Sequence, residues 1–390
     1  MKNNAERTNE SLLARLRGNT FIRGILTLMS GTAVAQLIPI AISPLLTRLY
    51  SPSELGIFAL YLSTASIVSV AATGRYELAI MLPEHDDEAG NLIRLSLIIV
   101  AALTVLATIS TVAWQFCLDG TTAPWILFLP AALALAGSGQ ALTYWFNRKA
   151  AYGQIAKSRM AQAVIMSLVQ IVGAVGGLKL YGLIGGHLCG LLASLAAYWA
   201  GFFKHPVPAT AKKGDFHHLN ELAKKYSNFI KYSTPMALLN IFSLNFLVYV
   251  LGMAFDTETL GHYSLANRVM NAPLMFMSSS FSAVFFERII KSENKLAVYR
   301  KSLILNTALG AITLLPFIFL GEQIFTVIFG DEWAVAGKMT FYLAPWLLAS
   351  FAVGSVSTVF SAQQKDNILL WWQLAYLAAG SIIIFVLRKM

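Results

Sequence analysis

Apolar runs of about 20 residues recur along the whole length of this chain of 390 residues. A run of that length crosses the hydrocarbon layer of a bilayer as one helix. The runs are continuous and do not alternate apolar with polar, which excludes a β-barrel. Hydrophobic residues make up 57% of the chain and charged residues 12%. A soluble domain carries roughly twice that charge. Helical spans are expected at 24–47, 55–74, 92–116, 124–146, 160–178, 181–203, 230–255, 262–286, 303–320, 339–361 and 368–387. The expected fold class is therefore an all-α polytopic membrane protein with about eleven transmembrane helices.

The net charge of +10 invites a nucleic-acid reading, but the lysines and arginines are scattered through short segments between apolar runs. That is how orientation signals are distributed. With the N-terminus in the cytoplasm, 23 of the 29 basic residues fall on the cytoplasmic side. Eleven spans then leave the C-terminus outside, where Arg388 and Lys389 sit against the trend. About twenty polar and charged residues precede the first span and no small-residue cleavage site follows it, so no cleaved signal peptide is expected. Leu12, Leu13 and Leu16 suit a short helix lying on the membrane surface. Cys117 and Cys189 stand far apart in apolar surroundings and suggest neither a disulfide framework nor a metal site.

The stretch 42–82 reads as a helical hairpin. One span runs into Arg48 and Tyr50, a tight Ser51-Pro52-Ser53-Glu54 turn follows, and a second span ends at Gly74-Arg75-Tyr76-Glu77. Ser53 followed by Glu54 suits a helix start, where a hydroxyl caps and an acid meets the positive helix end. The sequence L-L-T-R-L-Y-S-P-S-E-L-G-I-F-A-L-Y, with G-R-Y-E-L-A-I-M-L after it, resembles the first hairpin of polysaccharide exporters. These are the Wzx-type flippases of lipid-linked O-antigen repeat units, within the multidrug/oligosaccharidyl-lipid/polysaccharide exporter superfamily. G-E-Q-I-F-T-V-I-F-G-D-E-W at 321–333 resembles the same family. The resemblance implies two six-helix-type lobes around a central cavity, the twelfth helix apparently missing here. It also implies translocation of an undecaprenyl-diphosphate-linked oligosaccharide across the inner membrane. The partners implied are that lipid-linked oligosaccharide, membrane lipid, and polysaccharide polymerase and chain-length proteins.

The organisation expected is an N-lobe over 1–205, a basic cytoplasmic linker over 206–229 and a C-lobe over 230–390. The second half of the linker suits an amphipathic helix on anionic lipid, or a plain topogenic connection. A weak repeat supports the halves: Leu55-Gly56-Ile57-Phe58-Ala59-Leu60 matches Leu260-Gly261-His262-Tyr263-Ser264-Leu265 at an offset of 205, and Pro130 and Gly139 match Pro345 and Gly354 at 215. Gly56 and Gly261 are then expected at equivalent places near the outer ends of the second and eighth helices. Duplication is a common transporter design.

No enzyme constellation is present. The six histidines show no metal spacing, there is no G-x-x-x-x-G-K-[ST], and no cofactor is implied. The informative residues are polar ones inside spans, where burial is costly. Thr32, Gln36, Ser43 and Thr47 share one face of the first helix, Ser63, Ser66, Thr73 and Glu77 one face of the second, and Ser264, Arg268, Asn271, Ser278 and Ser282 one face of the eighth. Such faces suit a wet cavity or, more plainly, helix–helix contact. Arg268 is the foremost candidate for holding substrate phosphate, because a guanidinium binds two oxygens at once. Arg48, Arg75, Gln36 and Asn271 are further substrate-binding candidates. A structural ion pair with Asp256 or Glu258 is the rival role for Arg268. Prolines 39, 44, 130, 235, 273, 316 and 345 are expected to bend their helices.

Three alternatives stand beside the flippase. A drug/cation antiporter of the same superfamily is expected to carry acids deep in the first six spans, where this chain has almost none. A membrane glycosyltransferase or polymerase is expected to carry a large outer loop with carboxylates. The third is a non-transporting scaffold or an inactive truncated flippase.

Overall fold

A computed structural model gives the structure of residues 20–117, 123–207, 216–292, 294–356 and 375. The regular structure among these residues is helical. Helix α1 is Thr20–Leu49, α2 Pro52–Ala71, α3 Tyr76–Ala79 and α4 Asp86–Cys117. A single-turn 3₁₀ helix, Pro124–Phe128, leads into α5 (Leu129–Arg148), then α6 (Tyr152–Val175) and α7 (Leu180–Phe202). Helix α8 (Phe216–Lys225) lies in the linker, and a π-helical turn at Phe229–Ser233 runs into α9 (Thr234–Ala254). Helices α10 (Thr257–Lys291), α11 (Lys295–Phe329) and α12 (Ala334–Val356) follow. Eight helical segments among the described residues are long and apolar enough to cross a membrane. Helices α10 and α12 have spanning length but fall outside those eight. The polytopic all-α class therefore holds, and a helix stands at each of the first ten expected spans; 368–387 lies outside the described residues, apart from residue 375.

Packing divides the described chain into two compact units. One holds the residues up to Pro39, 64–176 and 181–238; the other holds 40–63, 177–180 and the residues from 239 onwards.

In the second unit, the turn between α1 and α2 corrects the expected cap. Ser51, not Ser53, caps α2: its backbone N–H donates to Glu54 Oε2 at 2.9 Å and its Oγ accepts from the Glu54 N–H at 3.3 Å. This is a capping box with Pro52 at the first helical position, where a missing N–H costs nothing. Ser53 instead hydrogen-bonds across to Thr257, Oγ to Oγ1 at 2.6 Å. The two motifs singled out in the sequence meet beside this turn. The Trp333 indole N–H donates to the Thr47 carbonyl at 3.0 Å, and the Thr47 hydroxyl donates to the Phe329 carbonyl at 3.2 Å. Trp333 is fully buried, with His262 edge-on at 5.4 Å between ring centroids.

Prolines bend less than expected. Pro130 and Pro235 occupy the first turns of α5 and α9, where proline is tolerated. Pro273, Pro316 and Pro345 lie inside helices. Helix α11 kinks one turn after Pro316, at Leu320 (φ −120°, ψ 15°). There the Thr340 hydroxyl bonds to the Phe317 carbonyl at 2.6 Å, and the backbones of Gly321 and Gly337 touch so closely that a Cβ on either would collide with the other chain segment.

The first unit has its largest core at one end of the helices. Tyr76, Ile80, Leu92, Trp145, Phe146 and Tyr198 form it, and α8 with its following turn adds Leu219, Leu222, Ala223, Tyr226 and Phe229. The apolar side of the linker helix thus covers protein. Three polar ties fix it: Lys225 to Glu88 at 2.5 Å, Tyr226 Oη to Glu88 at 3.1 Å, and the Tyr76 hydroxyl to the Ala223 carbonyl at 3.0 Å. Nearby, the Arg148 guanidinium bonds to the carbonyls of Ile80, Pro83 and Glu84 and to Asp86, which also pairs with Lys149. Basic residues that read as orientation signals therefore also fasten the 80–86 connection.

Candidate functional site

Helix α10 begins with a well-made cap. Asp256 accepts from the Thr259 N–H at 2.7 Å, which holds its carboxyl below the usual carboxylate range. Glu258 lies 3.8 Å from His262 Nε2. Both acids are thus engaged at the first turn. Arg268 lies ten residues beyond Glu258, about 15 Å along the axis at 1.5 Å per residue. Among the described residues no carboxylate pairs with Arg268, so the rival ion pair is not formed. Arg268 is half-buried.

Asn271 stands one turn further on. Its amide donates to the Asn267 carbonyl at 2.9 Å and to Asn267 Oδ1 at 2.6 Å. Sequence reasoning passed over Asn267, although its i, i+4 spacing to Asn271 is the signal that finds it. Arg48, at the end of α1 in the same unit, is exposed beside the clamped Thr47.

Gln36 and Arg75 belong to the other unit. Gln36 is exposed on α1. On the same helix, Thr32 accepts from Arg159 Nη1 at 2.9 Å. Sequence reasoning counted Arg159 only as an orientation charge. The contact depends on close packing between Gly31 and Ala156, 125 residues apart, which no local pattern reveals.

The end of α2 departs most from an ideal helix. The chain leaves α2 at Ala71 and turns through Gly74 and Arg75, with φ of 59° and 63°. A positive φ is routine for glycine and uncommon for arginine. The turn folds Thr73 and Glu77 together, and the Thr73 hydroxyl donates to the Glu77 carboxylate. Arg75 Nη1 lies 3.4 Å from Glu77, while Arg75 Nε is buried with no hydrogen-bond partner. Glu77 is 1% exposed and is the one buried carboxylate among the described residues. Burial pushes its carboxyl above the usual range; the Thr73 hydrogen bond and Arg75 oppose this without cancelling it.

Of the five candidates, the structure brings only Arg268 and Asn271 onto one stretch of helix. Arg268 offers two or more N–H donors to an anion, with no carboxylate paired to it among the described residues.

The described residues form an all-α polytopic membrane fold. It is similar to the lipid II flippase MurJ in its inward closed conformation, with a TM-score of 0.57 at 12% identity, covering 85% of this chain and 76% of that one. An outward-facing MATE family transporter of the MOP superfamily gives 0.48 at 12% identity, over 87% and 84% of the two chains. The polysaccharide biosynthesis protein family matches residues 45–338, and the chain belongs to that family. The teichuronic acid biosynthesis protein TuaB of Bacillus subtilis (strain 168) is 21% identical over 194 residues. That match covers 48% of this chain and 38% of the relative's length.

Proposed function

We propose that this protein moves an undecaprenyl-diphosphate-linked oligosaccharide, an O-antigen or other surface polysaccharide repeat unit, from the inner to the outer leaflet of a bacterial inner membrane. The observation that carries the reading is Arg268, a half-buried guanidinium on a helix of spanning length with no carboxylate partner among the described residues. An unpaired arginine costs about 2.5–3.5 kcal/mol at the centre of a membrane helix on insertion scales, and somewhat less nearer the end, where Arg268 lies. An anionic ligand offsets that cost, and a diphosphate matches the guanidinium fork. Membership of the polysaccharide biosynthesis family supports a lipid-linked saccharide as the bearer of that diphosphate. A drug/cation antiporter calls for acids deep in its spans. The buried carboxylate found here, Glu77, lies beyond the end of α2, which favours the flippase.

Export should fall about tenfold or more in Arg268→Ala and less in Arg268→Lys, at matched membrane abundance, as expected for losing a hydrogen bond to a charged group. Full export with alanine would remove Arg268 from the mechanism.

In the proposed topology the N-terminus and the linker face the cytoplasm. Cysteines placed at Ser11 and Thr210 should then resist an impermeant maleimide added to intact cells. Efficient labelling there reverses the topology and the direction of transport.

A further inference from the structure

Helix α10 packs its apolar residues into its own unit and leaves its polar ones open. At its start it crosses α2 in direct backbone contact: a Cβ on Gly56 would overlap the Thr257 carbonyl oxygen, and a Cβ on Gly261 would overlap the Pro52 carbonyl. These contacts are reciprocal, since Thr257 is Pro52 plus 205 and Gly261 is Gly56 plus 205. Further along, Leu265 and Ala266 share a buried core with Phe325 and Trp333, and Met270 and Leu274 share the next with Leu314 and Leu347.

The polar residues lie elsewhere on the helix. At about 100° per residue, Ser264, Asn267, Arg268 and Asn271 fall within an arc of about 100°, on the side away from Ala266. Ala266 is fully buried, whereas all four of these are half-buried. Polar side chains inside spans face protein, water or a polar ligand rather than lipid. This arc is therefore a polar surface that the core of its own unit does not cover.

The two asparagines form one recognition edge. A backbone carbonyl only accepts, so the Asn271 group that meets the Asn267 carbonyl at 2.9 Å is its amine, and its Oδ1 lies on the other side. The same amine donates to Asn267 Oδ1 at 2.6 Å, which leaves the Asn267 amine free to donate. Neither Asn271 Oδ1 nor the Asn267 amine has a hydrogen-bond partner among the described residues. An acceptor and a donor thus stand together, on the residue before Arg268 and on the residue three after it.

We propose that Asn267 and Asn271 receive the saccharide of the substrate, beside the diphosphate held by Arg268. This rests on the flippase reading. An acetamido group, or a ring hydroxyl, offers both an acceptor and a donor and so complements this edge. Consecutive Cα atoms are about 3.8 Å apart and a helical turn rises about 5.4 Å, so the edge adjoins the guanidinium. A sugar joined to a diphosphate through its anomeric oxygen sits directly beside the phosphate. The ring met here is therefore the one that carries the diphosphate. The Arg268 charge binds phosphate whatever sugar follows. The amide edge discriminates, because a ligand lacking the complementary groups leaves it unpaired.

The test compares two ligands of equal charge on the purified full chain. One is farnesyl diphosphate carrying N-acetylglucosamine on its terminal phosphate; the other carries a methyl group there. The parent should bind the sugar-bearing ligand about three- to tenfold more tightly, as for gaining a neutral hydrogen bond. Asn267→Ala and Asn271→Ala should each remove that preference and leave affinity for the methyl ligand unchanged, a split that a merely structural role does not produce. Arg268→Ala should weaken both ligands. Melting temperatures show whether each variant is folded. No preference in the parent, a preference kept in either asparagine variant, or equal loss of both ligands in those variants overturns the saccharide edge and leaves Arg268 in place. Equal binding of both ligands by the parent and Arg268→Ala, or none by the parent, overturns the edge and the flippase reading beneath it.

Discussion

Glu77 shows how a single turn sets a side chain's chemistry. Two left-handed residues, Gly74 and Arg75, bring its carboxylate out of solvent and against Thr73. Because burial raises its pKa in the folded chain, the fold binds this proton more tightly than the unfolded chain does. The associated stability is fully present below the ordinary carboxylate pKa and is lost as pH rises through the raised one. The melting temperature of the parent should therefore fall relative to Glu77→Gln as pH is raised from about 4.5. Parallel profiles for the two proteins would refute the assignment. The motif Gly-Arg-Tyr-Glu was visible in the sequence, and its glycine signalled a break. The burial of the carboxylate was not, since it depends on the core built around Tyr76, Trp145 and Tyr198.

Among whole elements, α8 was the least legible. Its amphipathic spacing is the same whether the apolar side meets lipid or protein, so sequence alone left the choice open. The structure decides it through Leu222, which is 3% exposed within the core. Leu222→Ala should cost about 2–5 kcal/mol of stability, the range for truncating a buried leucine side chain. Lys225→Ala should cost far less than Leu222→Ala, because the Lys225 side chain is 58% exposed in its pair with Glu88. Denaturation of the purified protein with each substitution checks the order; equal effects would mean that charge, not packing, holds the helix. The long helices were legible for the opposite reason. Their length and apolar content are dictated by the bilayer itself, and the ten expected spans that fall on described residues each meet a helix. The start of α2 was displaced by two residues from its expected cap because proline at the first helical position shifted the capping role to Ser51.

At the scale of the molecule, the two family motifs explain each other only once folded. Nothing local to Thr47 announces Trp333. Their hydrogen bond spans 286 residues, and a second, from Thr47 to Phe329, spans 282. The reciprocal glycine crossing is similarly remote, although its offset could be read as a weak repeat. Synthesis order turns this clamp into a folding problem. The 40–63 segment leaves the ribosome early, while Phe329 and Trp333 are made near the end. The tip of the first hairpin must wait, already inserted, for partners that arrive last, and contacts of such long separation are slow to form. A cysteine at Thr47, 4% exposed in the folded chain, should be shielded from maleimide in the full protein and reactive in a chain ended at residue 256. Equal shielding in both would show that the hairpin completes itself without the clamp. If it does wait, the last third of the chain acts as a checkpoint on the first, and a stalled or shortened product exposes its earliest helices to quality-control proteases.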